Sequence, residues 1–211
     1  MKREVVEFND YIQPNLALDA GELDANYFQT IPYLEEMVKT RGLNLHILVS
    51  VHLEPMALYS KKVKSLADIP TGARVAVPSD PTNEGRALKV LEHAGLIKLK
   101  DGATLLSGPA DIVSNPKKLQ FVELEPALLP RALDDVTAAV INANYALEAG
   151  FNPAKNAIAL EEKSSPFGNV VAIREGDDKK EAFQKLKKAI TSPEVMKFIE
   201  EKYQGGVLPV F

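Results

Sequence analysis

Apolar and polar positions change period along the chain and sort it into alternating strands and helices. Short runs enriched in β-branched residues predict strands over 4–8, 46–51, 73–77, 119–124, 137–141 and 170–174. Between them apolar residues recur at helical spacing, which predicts helices over 12–20, 32–41, 83–94, 109–115, 126–134 and 144–149, with two more at 181–191 and 193–203. Pro32, Pro126 and Pro193 stand at helix starts, where a missing N–H costs nothing, and Gly42, Gly95 and Gly150 directly follow helical runs. This alternation predicts an α/β fold of βαβ units with mainly parallel sheets.

The basic, turn-rich connection from Tyr59 to Pro70 reads as a crossing between lobes, and Pro166-Phe-Gly-Asn-Val170 reads as the return. Lobe I is then expected over 1–60 and 169–211, and lobe II over 61–168. In open α/β sheets ligands sit outside the carboxyl ends of strands. Gly21-Glu-Leu-Asp-Ala-Asn-Tyr-Phe28 and the stretch from Asp135 to Tyr145 both run apolar positions into amide and aromatic residues, so these junctions are expected to face one cleft.

The segment with most chemical content is Asp80-Pro-Thr-Asn-Glu-Gly-Arg86, where a β-branched strand stops at Pro78 and a helix begins after a polar turn. The positive end of a helix dipole, its unpaired N–H groups and a guanidinium together suit a carboxylate or phosphate. The alternative is that Asp80 or Asn83 simply caps the helix. Tyr11, Phe28 and Tyr33 stand at element ends beside Gln13, Asn15, Asn26 and Gln29. Such rings are either core or the wall of a pocket for a zwitterion with an apolar side chain.

Composition narrows the classes. Of 211 residues 45% are hydrophobic and 26% charged, which is enough apolar material for one or two buried cores. A net charge of -4 provides no basic footprint for nucleic acid, and no apolar run approaches the roughly 18 residues of a membrane span. There is no cysteine, hence no disulfide or thiolate chemistry. The three histidines lack metal-ligand spacing, and Glu35-Glu36, Glu161-Glu162 and Glu200-Glu201 read as solvated faces. No nucleophile elbow or phosphate-cradling glycine motif is present, so the chain is read as a non-enzyme without cofactor or metal.

Seven motifs in order carry a resemblance: Asn9-Asp-Tyr-Ile-Gln-Pro-Asn-Leu-Ala-Leu18, Gly21-Glu-Leu-Asp-Ala-Asn26, Glu54-Pro-Met-Ala-Leu-Tyr-Ser60, Asp80-Pro-Thr-Asn-Glu-Gly-Arg86, Leu129-Pro-Arg-Ala-Leu-Asp-Asp135, Ile141-Asn-Ala-Asn-Tyr-Ala146 and Ser165-Pro-Phe-Gly-Asn169. Together they resemble the NlpA lipoprotein family, the methionine-binding substrate-binding proteins of methionine ABC importers. The resemblance implies a two-lobed type II periplasmic-binding-protein fold that closes on methionine, or a related amino acid or short peptide, and delivers it to a membrane permease. It implies an aromatic pocket of Tyr11, Phe28 and Tyr33, with the head group held by Arg86, Asn142 and Asn169. It also implies an extracytoplasmic location.

Two departures from the family pattern bear on these expectations. Thr30 stands where the family usually has a histidine, which puts ligand preference and enantiomer in question. Family members carry a signal peptide with a lipidated cysteine, a first strand and a helix ahead of the Val5-Val-Glu-Phe8 run, and these residues are not in this chain. A sheet lacking an interior strand leaves unpaired backbone groups, so the first lobe is expected to pair with a second copy as a homodimer or to repack. Three competing readings are a remnant that folds without binding, an enzyme on the same fold, and a regulator's sensor domain.

Overall fold

The computed structural model describes residues 4–162 and 165–211, and the chain divides into two compact units, Met1–Leu53 with Pro166–Phe211, and Glu54–Ser165. The first unit opens with α1 (Gln13–Asp19), β1 (Ala25–Thr30), α2 (Ile31–Arg41) and β2 (Leu45–Leu53). The second contains β3 (Ala57–Tyr59), β4 (Arg74–Pro78), α3 (Pro81–His93), β5 (Lys98–Leu99), β6 (Ile112–Ser114), β7 (Gln120–Leu124), α4 (Leu129–Ala132), β8 (Ala138–Ile141), α5 (Ala143–Glu148), α6 (Pro153–Asn156) and β9 (Ala159–Leu160). The chain then returns through β10 (Gly168–Arg174), α7 (Glu181–Ile190), α8 (Pro193–Tyr203) and β11 (Leu208–Pro209).

In the first unit the strand order is β1-β10-β2-β11 and every pairing is antiparallel, against the expectation of mainly parallel sheets. The reason lies in β10. Both β1 and β2 run opposite to it, so they are parallel to each other with α2 as their crossover, and the returning strand is inserted between them. Successive side chains of β10 alternate faces. Val170 and Ala172 pack with Leu18 of α1 and Leu34 and Met37 of α2, while Val171 and Ile173 pack with Leu48, Val51 and Phe183 of α7.

Residues 4–8 form no strand, and Val5 and Val6 are 82% and 54% exposed. A β-branched run becomes a strand only where a neighbour accepts its backbone bonds, and the ladder of this unit ends at β1. Conversely, β1 was not expected as a strand, because its Ala-Asn-Tyr-Phe-Gln-Thr sequence hides buried positions under polar residue types.

The second unit has a five-stranded sheet in the order β7-β4-β8-β3-β9, with β4 parallel to β7 and β8, and β3 antiparallel to β8 and β9. Val75 and Val77 of β4 pack with Ala87, Leu88 and Leu91 of α3 on one face, and Ala76 packs with Leu129 and Leu133 on the other. Because β3 pairs inside this sheet, the first crossing falls after Leu53, seven residues ahead of the expected position. The return falls at Pro166.

Two predicted helices shorten. Pro109–Asp111 is a single 3-10 turn that leads into β6, where the β-branched Ile112 and Val113 favour extension. The 126–134 prediction resolves into a 3-10 turn, Pro126–Leu128, followed by α4, whose first turn holds Pro130. Gly85 is fixed by packing: a Cβ there would lie 2.2 Å from the Leu105 carbonyl oxygen, so only glycine lets the loop around Leu105 approach α3.

Candidate functional site

The first unit brings its three predicted rings together. Tyr11, ahead of α1, lies 6.0 Å from Phe28 of β1 and 5.9 Å from Tyr33 of α2, and Phe28 and Tyr33 are 6.3 Å apart, measured between ring centroids. The Tyr33 hydroxyl donates to the Tyr11 carbonyl at 3.1 Å, which ties the helix to the segment ahead of α1. Tyr33 is buried in the core of this unit, while Tyr11 and Phe28 are half-buried against it. The cluster therefore serves as core on one side and offers ring surface on the other.

The same unit holds a polar trio. Asn15 Nδ2 donates to Gln29 Oε1 at 2.7 Å, Gln29 Nε2 donates to Asn15 Oδ1 at 2.7 Å and to Asn26 Oδ1 at 3.0 Å. Asn26 Nδ2 donates to Asn15 Oδ1 at 2.8 Å and to the Pro14 carbonyl at 3.1 Å. All three are buried and bond to one another, fastening α1 onto β1.

Asn169 sits on β10 opposite Thr30 of β1 and His52 of β2. The amide orientation that best matches its surroundings turns the nitrogen to the Phe28 and Gln29 carbonyls, 3.3 Å from each. Asn169 is thereby joined to the strand that carries Phe28. Sequence reading overlooked a neighbouring pair, the Tyr27 hydroxyl hydrogen-bonded to His52 Nδ1.

In the second unit, β4 ends at Pro78 and α3 starts at Pro81 with Asp80 as its N-cap. Asp80 Oδ1 accepts from the Asn83 backbone N–H at 3.1 Å and from Thr82 Oγ1 at 3.1 Å. The acceptor at this helix start is thus the chain's own carboxylate, as in the capping alternative. Asn83 Nδ2 lies 2.9 and 3.0 Å from the two Asp80 oxygens, and Asn83 Oδ1 accepts from Asn142 Nδ2 at 2.8 Å. Burial raises the Asp80 pKa against the opposing effect of these hydrogen bonds.

Arg86, one turn into α3, grips Glu161 bidentately, Nε to Oε1 at 2.8 Å and Nη2 to Oε2 at 2.6 Å. Nη2 also donates to the Glu54 carbonyl at 2.8 Å. Glu161 accepts in addition from the Met56 backbone N–H at 3.0 Å and from Ser165 Oγ at 2.9 Å. The side chains of Arg86 and Glu161 are 3% and 8% exposed. Sequence reading took Glu161 for a solvated charge, and the signal that could have corrected it was Arg86 itself, since a buried guanidinium needs a buried carboxylate.

Glu84, in the same helix as Arg86, is perturbed as well. Burial, aided by repulsion from Glu123 and Asp80, pushes Glu84 up to about 7. Among the described residues no cluster of histidine, aspartate or glutamate is arranged to hold a metal ion, and no helix is long and apolar enough to cross a membrane.

The sequence model of the family described as NlpA lipoprotein matches residues 1–211. The chain belongs to the NlpA lipoprotein family. The D-methionine-binding lipoprotein MetQ of Escherichia coli strain K12 is 47% identical to this family member over 207 residues, which make up 97% of this chain and 76% of that protein. A nutrient binding protein from Burkholderia cenocepacia, solved bound to methionine, superposes with a TM-score of 0.96 at 51% identity, covering 99% of this chain and 88% of that one. A second solved structure, described as the methionine binding protein MetQ, matches with a TM-score of 0.96 at 46% identity over 99% of this chain and 86% of its own. The fold of this family member is that of the MetQ-type periplasmic binding proteins.

Proposed function

We propose that this chain is an extracytoplasmic solute-binding protein that takes methionine, or a related amino acid or short peptide, and passes it to the permease of an ABC importer. The observation that carries the reading is its likeness, at 51% identity and a TM-score of 0.96, to a protein solved with methionine bound. The word lipoprotein in the names of its relatives supports the location. No covalent chemistry is assigned to the site.

In this reading the rings of Tyr11, Phe28 and Tyr33 pack the ligand's apolar side chain, a contribution of about 1.5–3 kcal/mol for a group of that size. Asn142 and Asn169 hold the head group by hydrogen bonds, and Arg86 attracts the carboxylate from beside its bond to Glu161. Thr30 is buried next to Asn169 in the ladder, so it bears on which enantiomer fits.

A second reading concerns assembly. Among the described residues the first unit's sheet stops at β1 and the exposed run at Val5 and Val6 joins no strand, which favours pairing of this edge with a second copy.

Titration calorimetry with L-methionine, D-methionine and glycyl-methionine tests the ligand. One of the three is expected to bind, Phe28→Ala to weaken it about tenfold, and Arg86→Ala to weaken it further. Equal binding by wild type and Arg86→Ala rules out the assignment of that residue. Light scattering on the same samples is expected to give twice the chain mass, and a monomer mass at micromolar concentration rules out the pairing.

A further inference from the structure

The second unit contains a hydrogen-bonded line, half-buried at Asp80 and buried at Asn83 and Asn142, whose polarity is set at one end and unfinished at the other. Asp80 starts it as an acceptor, its Oδ1 taking the Asn83 backbone N–H and the Thr82 hydroxyl. Asn83 must therefore turn its amide nitrogen to Asp80, and its backbone N–H, bonded to the same carboxylate, holds it there. With the nitrogen so placed, Asn83 can offer Asn142 only an oxygen, and Asn142 must answer with its own nitrogen. Reversing either amide would set oxygen against oxygen.

Asn142 itself is 7% exposed, and its Oδ1 is buried with no hydrogen-bond partner among the described residues. A carbonyl oxygen in that position is costly to leave unpaired, and it can be satisfied only by a donor. Asn142 precedes α5 as its N-cap residue, yet its side chain makes no capping bond, so the local helix does not explain its orientation.

We propose that Asp80 and Asn83 are positioning residues that lock Asn142 with its oxygen presented, so that Asn142 reads a cationic N–H donor, the ammonium of an α-amino acid, and discriminates against ligands without one. The inference rests on the amino-acid-binding reading above and deepens it by assigning Asn142 the amino group and not the carboxylate. It also assigns a role to two residues that do not touch the ligand.

The test uses Asp80→Asn, chosen because asparagine caps a helix about as well as aspartate, so that α3 keeps its N-cap. An amide at that position can donate as well as accept, and Asn83 and Asn142 lose their fixed orientation. Asn83→Leu interrupts the line at its second member and serves as the independent variant.

Two measurements are paired. Calorimetry compares methionine with 4-(methylthio)butanoic acid, which has the same side chain and carboxylate but no amine. Wild type is expected to prefer methionine by about tenfold to a hundredfold, the range of a hydrogen bond to a charged group. In both variants that preference is expected to fall to about threefold or less, with affinity for the deaminated acid nearly unchanged. Side-chain amide NMR on the ligand-free protein is expected to show the Asn142 NH2 resonances shifted by Asp80→Asn, although the line connects the two residues only through Asn83.

Equal weakening of both ligands, or a preference that survives in both variants, overturns the proposal. If wild type binds neither ligand, the amino-acid reading fails, and the NMR comparison alone decides the line: shifted Asn142 resonances uphold the positioning roles, and unshifted ones overturn them.

Discussion

Each of the two units buries a set of carboxamides, and they terminate these sets differently. In the first, every nitrogen and oxygen of Asn15, Asn26 and Gln29 has a partner within the trio or at the Pro14 carbonyl. In the second, the line from Asp80 through Asn83 ends at an Asn142 oxygen without one among the described residues. A closed network gives its stabilisation to the fold, because every desolvated group is repaid inside the protein. An open one keeps a desolvated acceptor in reserve, which is useful only to something that brings a donor. Asn15 and Asn142 are the same residue type at similar burial, so what separates their roles is whether the neighbours complete them.

The largest expected effect falls on the buried Arg86–Glu161 pair. Glu161→Ala would leave a guanidinium buried without its carboxylate, and a loss of about 3–5 kcal/mol in urea unfolding is expected. If Arg86 also attracts the ligand's carboxylate, methionine should raise the melting temperature of this variant more than that of wild type. An unchanged unfolding midpoint would show that the pair contributes little. Next comes Asn15→Leu, which strips partners from Asn26 and Gln29 at once. The expected cost is about 2–3 kcal/mol of stability, with the comparison sharpened by ligand selectivity: the discrimination assigned to Asn142 should persist in Asn15→Leu, whereas Asp80→Asn should show the reverse pattern.

The parts of the fold legible in sequence were those set by local period. Strands β2, β4, β7, β8 and β10 and the two final helices lie within a few residues of their predicted positions, because β-branched runs and an apolar helical stripe carry their own signal. What was hidden depends on distant partners. The run at 4–8 has strand composition but no ladder to join, while the polar β1 has a ladder and becomes a strand beside β10. The ring cluster could be anticipated from aromatics at element ends. Only tertiary geometry shows that the carboxamides beside those rings in the sequence satisfy one another, and that Arg86, 75 residues from Glu161 in the chain, already holds a carboxylate.

The smallest expected effect also sharpens the comparison, since it tests electrostatic strain beside the open line. Glu84 lies one turn after Asp80, and burial together with Glu123 and Asp80 lifts it from 4.5 to about 7. An acid whose folded pKa is raised binds more protons folded than unfolded, so its unfavourable contribution is absent below about 4.5 and fully present above about 7. Stability should therefore fall as pH rises through that window, by about 1 kcal/mol once solvent screening of a half-buried group is allowed for. Glu84→Gln removes the charge, so urea unfolding should show the variant about 1 kcal/mol more stable than wild type at pH 8 and equal to it near pH 4. Parallel pH profiles for the two proteins would place the strain elsewhere. The predicted profile, with Asp80 relieved of a neighbouring negative charge, would place an electrostatic cost directly beside the residue that sets the orientation of Asn142.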